Sequence, residues 1–252
     1  MKNKIFYVLP TFNEGLNIIR LLKKFDNFFK KQNILIIIVF VDDGSTDNSI
    51  EKIVSFKKKN SRKIKIKILK HKKNYGLGVA LKTGFKFCFK FANEDDVIVT
   101  MDTDNSHTID LSFKMVKKVI FDNEDVVIAS RYRENSKTKG LNNLRKILSF
   151  GAALLFKIFF PIKNVRDYTS GFRAFKVKKI RNIYKKSKNF FSETGFSASA
   201  DILLKLYPFK KELNFKELPI NLRYDLKQGS SKMKIIKTIY LNLRLIFIRK
   251  IF

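Results

Sequence analysis

Two aspartates one residue apart, Asp102 and Asp104, follow the apolar run of residues 97–101. At that spacing both carboxylates can reach one ligand from a single turn. A hard divalent cation such as Mg²⁺ or Mn²⁺ takes oxygen ligands, often only one or two carboxylates, with substrate phosphates completing its shell. Such a cation neutralises charge developing on a leaving diphosphate. Taken alone, such a pair is more often a turn or a helix cap. A second acidic run, Asp42-Asp43-Gly44-Ser45-Thr46-Asp47, follows apolar residues 34–41. Gly44 permits a tight turn, and Thr46 or Asp47 can cap the next helix. Capping accounts for the end of this run but not its start, because adjacent carboxylates repel unless something occupies them. The base N–H and ribose hydroxyl groups of a nucleotide would do so. Pro10-Thr11-Phe12-Asn13-Glu14 closes the first apolar run; Thr11 or Asn13 can cap a helix there, and the same polar groups can face a nucleotide. Asn74-Tyr75-Gly76-Leu77-Gly78 is a turn at which backbone can approach a phosphate or ribose. G-x-G-x-x-G and the P-loop pattern are both absent, so neither a dinucleotide site nor an ATPase is indicated.

These clusters need elements to hold them. Apolar runs at residues 4–9, 34–41, 64–69, 97–101 and 126–130 read as strands, and helical periodicity fills residues 15–30, 47–59, 78–91 and 109–123. Alternation of this kind predicts an α/β fold with a mainly parallel sheet flanked by helices. Ligands of such sheets bind beyond the carboxyl ends of the strands, where all four polar clusters fall. The second half has a different rhythm: a polar loop at 133–143, an apolar-faced helix at 144–160 stopped by Pro161, and an irregular stretch at 163–175. A helix at 196–206, an extended stretch at 212–224, a Gly/Ser/Lys loop at 227–232 and a basic amphipathic segment at 233–252 follow. With no internal repeat and no clean linker, residues 1–252 are expected to form one domain.

The chain carries 53 Lys and Arg against 22 Asp and Glu, a formal charge of +31. Nucleic-acid binding, attraction to an anionic membrane surface and a Lys-rich codon bias all produce such a balance. Zinc-finger, RRM and KH signatures are absent and the basic residues are spread along the chain, which counts against a nucleic-acid partner. The single cysteine, Cys88, excludes a disulfide framework, and residues 5–10 are too short for a secretory h-region. A cytoplasmic location is expected.

In order along the chain, Val8-Leu-Pro10-Thr-Phe-Asn-Glu14, Val41-Asp42-Asp43-Gly-Ser-Thr-Asp47, Asn74-Tyr-Gly76-Leu-Gly78 and Met101-Asp102-Thr-Asp104-Asn-Ser-His107 resemble the family-2 glycosyltransferases of GT-A fold. The second half resembles their polyprenyl-phosphate (dolichol-phosphate) branch through Ser130-Arg131-Tyr132, Arg166-Asp-Tyr-Thr-Ser-Gly-Phe-Arg173, Glu217-Leu-Pro219 and Gly229-Ser-Ser-Lys232. The resemblance implies that Asp102 and Asp104 hold the metal and donor diphosphate. It implies too that Asp42, Asp43, Pro10 and Glu14 contact the nucleoside, and that Arg131 lies near a donor or acceptor phosphate. One departure matters. The branch usually carries an Arg six residues after the proline of Glu-x-Pro, and this chain has Asp225 there, leaving Arg223, Lys227 or Lys232 as substitutes. The Gln-x-x-Arg-Trp signature of processive polysaccharide synthases is absent.

Family-2 enzymes invert the anomeric centre by direct displacement. A hydroxyl acceptor needs a general base, for which Asp201 on the 196–206 helix is the candidate. A phosphate monoester, largely dianionic at neutral pH with a second pKa near about 6, needs positive charge instead. Arg131, Arg145, Arg166, Arg173 and Lys232 are candidates, although Arg145 and Arg173 can equally pair with carboxylates such as Asp167. The expected activity is transfer of a hexose from a GDP- or UDP-sugar to a polyprenyl phosphate, with Mg²⁺ or Mn²⁺, at the cytoplasmic face of a membrane. The basic amphipathic segments 144–160 and 233–252 would lie in the interface rather than span it. A hydroxyl of a glycan or lipid-linked saccharide is the alternative acceptor, and a basic nucleic-acid-binding protein is the remote alternative.

Overall fold

A computed structural model describes residues 3–59, 64–140, 143–226 and 235–251. Strands β1 (Lys4–Thr11), β2 (Leu35–Asp42), β3 (Ile64–Lys70) and β4 (Val97–Thr100) alternate with helices α1 (Gly15–Phe29), α2 (Ser49–Lys59) and α3 (Leu77–Phe91). Next come α4 (Ile109–Phe121), β5 (Val126–Ser130), β6 (Lys137–Lys139), α5 (Asn143–Phe159), β7 (Arg173–Lys176), α6 (Val177–Lys186) and α7 (Ala198–Leu206). The chain closes with β8 (Phe215–Pro219), β9 (Asn221–Arg223) and α8 (Ile235–Ile251). The main sheet has seven strands in the order β3-β2-β1-β4-β7-β5-β8, parallel except for β7.

The strands read as near-continuous apolar runs because both faces of the sheet are covered. Successive side chains point to opposite faces. Phe6 and Val8 of β1 therefore join Phe85 and Cys88 of α3 and Phe156 of α5 in one core. Ile5, Tyr7 and Leu9 join Leu21 and Phe25 of α1 and Val116 of α4 in the other. Gly84 belongs in this packing: a Cβ there would run into Val8, so glycine lets α3 lie close on the sheet.

Helix α6 was not foreseen, strand β6 falls inside the loop expected at 133–143, and three further features depart from the sequence expectation. Helix α2 starts at Ser49 rather than at 47, because the Asp47 carboxylate accepts from the Ser49 N–H and also from the Gly15 N–H. The extended stretch at 212–224 is two strands: β8 pairs with β5 in the main sheet, and β9 pairs with β6 in a separate ribbon. The stretch at 163–175, expected to be irregular throughout, ends in β7, which inserts antiparallel between β4 and β5. Four residues, one of them Arg, carry too little periodicity to reveal a strand. The loop at 227–232, with Lys227 and Lys232, lies outside the described residues.

Candidate active site

The ends of β1, β2 and β4 deliver three of the polar clusters to the same edge of the sheet, and the turn into α3 brings the fourth. They are tied to one another. The Thr46 N–H donates to Asn13 Oδ1 (2.8 Å), the Asn13 N–H to Ser45 Oγ (3.0 Å) and the Glu14 N–H to Ser49 Oγ (2.9 Å). Asn17 Nδ2 donates to Glu14 Oε2, and Asn105 Nδ2 to the Asn17 carbonyl, so the first turn also grips the Asp102–Asp104 turn. Asn13 and Asn105 both have positive φ (52° and 63°), which Asn tolerates better than most side chains. Beyond these turns lies a cavity of about 480 Å³. Pro10, Thr11 and Glu14 line it, as do Asp43, Asn74 and Gly76, the pair Asp102 and Asp104, and Arg131.

The adjacent carboxylates of the second cluster separate in role. Asp42 is buried off the cavity wall and accepts from the Ser45 N–H. Asp43 faces the cavity and accepts from the Tyr75 N–H (3.0 Å), the Gly76 N–H (2.7 Å) and His71 Nδ1 (2.7 Å), while His71 Nε2 meets Thr83 Oγ1. The repulsion expected of two neighbouring acids is therefore relieved within the protein. Gly76 sits at φ 96°, and a Cβ there would collide with the Thr194 carbonyl, so this turn requires glycine.

In the last cluster the Asp102 side chain is 55% exposed, whereas Asp104 is buried and accepts from the Ser106 N–H and hydroxyl. His107 stacks on Phe172, and its Nδ1 accepts from the Asp102 N–H (3.1 Å). In the neutral ring Nε2 then carries the proton, and it lies 3.9 Å from Asp102 Oδ2. His107 lines the cavity as a donor rather than a base. The motif Asp102-Thr-Asp104-Asn-Ser-His107 contained it, but its role needed the geometry. Among the described residues no group of three or more His, Cys, Asp or Glu side chains is gathered to hold a metal alone. Two hard oxygen donors facing a cavity suit Mg²⁺ or Mn²⁺ when substrate oxygens and water complete the shell. The donor set fits.

Arg131 is the guanidinium of the cavity wall. Its Nε and Nη2 form a two-pronged pair with Asp167 (2.8 and 2.7 Å), and Nη2 also donates to Thr169 Oγ1. Burial alone would raise the Asp167 carboxyl, but Arg131 outweighs it and holds the group below the ordinary carboxylate value. Burial likewise works to lower Arg131, and Asp167 reverses that. Glu217 lies behind them. It accepts the Arg166 and Asp167 N–H groups (2.7 Å each) and pairs with Arg133 (2.9 Å). The Glu of Glu-Leu-Pro thus shapes the loop that orients Arg131, a role that the sequence left unseen.

Several expected contacts are not brought to the cavity. Asn13 and Gly44 serve the turns, and Arg223 is clasped by both oxygens of Asp225. Arg173 is buried, donating to the Ser199 and Tyr168 carbonyls, with burial lowering its pKa to about 10. It has no access to an acceptor phosphate. Asp201 requires the plainest correction. It is off the cavity wall and accepts from Ser192 Oγ (2.7 Å) and Arg249 of α8 (2.6 Å), so it anchors that helix instead of taking a proton. Arg166 donates from Nη1 to the Tyr132 carbonyl. Arg145 falls in α5, but its side chain lies outside the described residues.

A mostly parallel sheet with an acidic pair at its strand ends defines the GT-A class. The fold matches glucosyl-3-phosphoglycerate synthase from Mycobacterium tuberculosis, solved with Mn²⁺, UDP-glucose and phosphoglyceric acid, at a TM-score of 0.70 and 14% identity. That match covers 98% of this chain and 80% of the other, and at such identity the likeness is one of fold. The chain belongs to glycosyl transferase family 2, whose model matches residues 7–184. Dolichol-phosphate mannosyltransferase from Pyrococcus furiosus is 30% identical over 97% of this chain, which spans 63% of that protein. A UDP-N-acetylglucosamine–dolichyl-phosphate N-acetylglucosaminyltransferase from Methanococcus voltae is 27% identical over 95% of each.

Proposed function

We propose that this glycosyltransferase domain moves a hexose from a UDP- or GDP-sugar to a polyprenyl phosphate at the cytoplasmic face of a membrane. The observation that carries the reading is one cavity that holds the acidic pair and Arg131 and whose other carboxylates among the described residues are tied to the turns, Glu14 by Asn17 and Asp43 by the 75–76 turn. His107 presents N–H, and Asp201 is elsewhere. An acceptor that is already an anion needs no base. Arg131 bonds through Nε and Nη2, and its Nη1 makes no hydrogen bond among the described residues, so Nη1 is available to a phosphate oxygen. Asp102 and Asp104 would hold Mg²⁺ or Mn²⁺, which when bound supplies charge neutralisation on the departing diphosphate. Asp43 fixes the turn against which the nucleoside rests, and Pro10, Thr11 and Glu14 complete that wall.

The roof of the cavity supports the lipid acceptor. Leu148 and Ala152 of α5 and Ile239 of α8 face inward. On α5, Ile147, Phe150, Leu154 and Ile158 stand exposed, and on α8 so do Tyr240, Leu243 and Phe247. Each set follows helical spacing, and exposed Lys157, Arg244 and Lys250 flank them. Among the described residues no helix is long and apolar enough to cross a membrane.

The decisive assay supplies the purified protein with UDP- and GDP-sugars, Mn²⁺ and a short polyprenyl phosphate. Wild type should release nucleoside diphosphate and form a phosphate-linked glycolipid. Asp102→Asn, at a half-exposed carboxylate, should cut turnover by roughly a hundredfold or more with the melting temperature unchanged. Full activity in that variant, or in excess chelator, would sink the metal assignment. Product formed only on phosphate-free acceptors would transfer the reading to a hydroxyl acceptor.

A further inference from the structure

Four buried side-chain polar atoms among the described residues have no hydrogen-bond partner, and of these only Asn242 Oδ1 belongs to a residue of the cavity wall. Asn242 is 7% exposed and sits mid-helix in α8. Thr238, one turn earlier, lines the same cavity, and the neighbouring Leu245 and Ile246 are buried in the core, which fixes the face presented. A buried carbonyl oxygen without a donor is unfavourable, and an apolar residue in its place would avoid that. The oxygen is explained if a ligand brings the donor. We propose that Asn242 is a sugar-selecting residue, its Oδ1 accepting a hydroxyl, or an acetamido N–H, of the transferred hexose.

The chemistry of the other ligand parts narrows the partner. With Oδ1 turned to the cavity, Asn242 repels a dianionic phosphate or a diphosphate, which present only acceptor oxygens. A polyprenyl chain presents no polar hydrogen. The nucleoside is assigned to the wall of Pro10, Asp43 and Gly76, which belong to β1, β2 and the α3 turn. The hexose is the remaining ligand part with donors to offer. Asn242 also lies beyond residues 7–184, the part shared with the family at large, so a selectivity contact on α8 would differ among members that share the metal and nucleotide motifs.

This inference rests on the transferase reading, and the test separates the two. Wild type, Asn242→Leu and Asn242→Ala are titrated calorimetrically with UDP and GDP, then with UDP-glucose, UDP-N-acetylglucosamine and GDP-mannose, in Mn²⁺. In parallel each is assayed for transfer to a short polyprenyl phosphate. Loss of one hydrogen bond predicts a roughly five- to tenfold weaker affinity for the preferred sugar nucleotide. Affinity for the matching nucleoside diphosphate should be unchanged, and discrimination among the sugars in transfer should narrow. The Ala variant introduces no bulk and carries the test if Leu misfolds. Equal weakening of nucleoside diphosphate and sugar nucleotide, or no weakening of either, overturns the role of Asn242 while wild-type transfer leaves the function standing. A wild type that binds no sugar nucleotide overturns both.

Discussion

Arg131 and Asp167 show how one pair of residues serves both stability and the site. Asp167 is fully buried and its carboxyl titrates below the ordinary value, held there by the guanidinium against the opposing effect of burial. A carboxyl depressed in the folded state adds stability above its unfolded pKa, near about 3.9, and loses it as pH falls through the folded value. Asp167→Asn should cost about 3 kcal/mol at neutral pH by leaving Arg131 without its charge partner, a drop of roughly 6–12 °C in melting temperature. The gap from wild type should close as pH falls below about 4, and thermal unfolding across pH 2–7 measures it; a gap constant with pH would refute the assignment. At this scale the sequence was most informative where side chain and turn coincide. Asp102, Asp104, Asp43, Asn74 and Gly76 all face the cavity, because a short turn leaves few directions for its residues. It was least informative for arginines, whose long side chains reach either solvent or core. Arg131 and Arg173 differ by burial that no local pattern encodes, and the Asp167 partner foreseen for Arg145 or Arg173 belongs to Arg131.

Helix α8 is held to the body by buried Leu245 and Ile246 and by the pair that Arg249 makes with Asp201, while Thr238, Ile239 and Asn242 form part of the cavity roof. If Asp201 acts as an anchor, Asp201→Asn and Arg249→Ala must have the same effect. Both should destabilise the helix by about 1–3 kcal/mol, speed amide exchange across Ile235–Ile251, and lower transfer several-fold with an unaltered pH–rate profile. A general base would behave differently: Arg249→Ala would spare activity, while Asp201→Asn would abolish turnover together with the acidic limb, the rise of rate with pH. Hydrogen exchange and rates on the two variants decide the matter. The elements of the first half were legible because each strand and helix carries its own period, and the four polar clusters mark the strand ends. Strand β7 and the β6–β9 ribbon were not, since strands of three or four residues are created by the neighbours they pair with. Helix α8 was foreseen as amphipathic, yet apolar residues stand on both its buried and its exposed faces. A helix of that kind has two surfaces to satisfy.

At the scale of the molecule, the exposed stripes of α5 and α8 and the charge of +31 bear on a single question. A charge spread over the whole surface would act as a weak, long-range attraction, screened within about 10 Å at ordinary salt. An apolar stripe flanked by Lys157, Arg244 and Lys250 adds a short-range contact that salt does not remove. The two contributions are separable. Wild-type protein should bind vesicles containing phosphatidylglycerol better than neutral ones, and raising the salt should weaken that binding without abolishing it. Replacing Ile147 and Ile158 together by Glu removes two exposed apolar side chains, each worth about 1.5–3 kcal/mol on full burial. It also adds two like charges facing an anionic surface. Partition onto vesicles should then fall by roughly a hundredfold or more, and transfer to a bilayer-embedded polyprenyl phosphate should fall with it. Melting temperature and affinity for nucleotide sugar should hold, because both side chains stand in solvent and neither lines the cavity. Sedimentation with vesicles measures the partition directly. Equal sedimentation of the variant and wild type would mean that the charge acts alone and that the stripes serve some other contact.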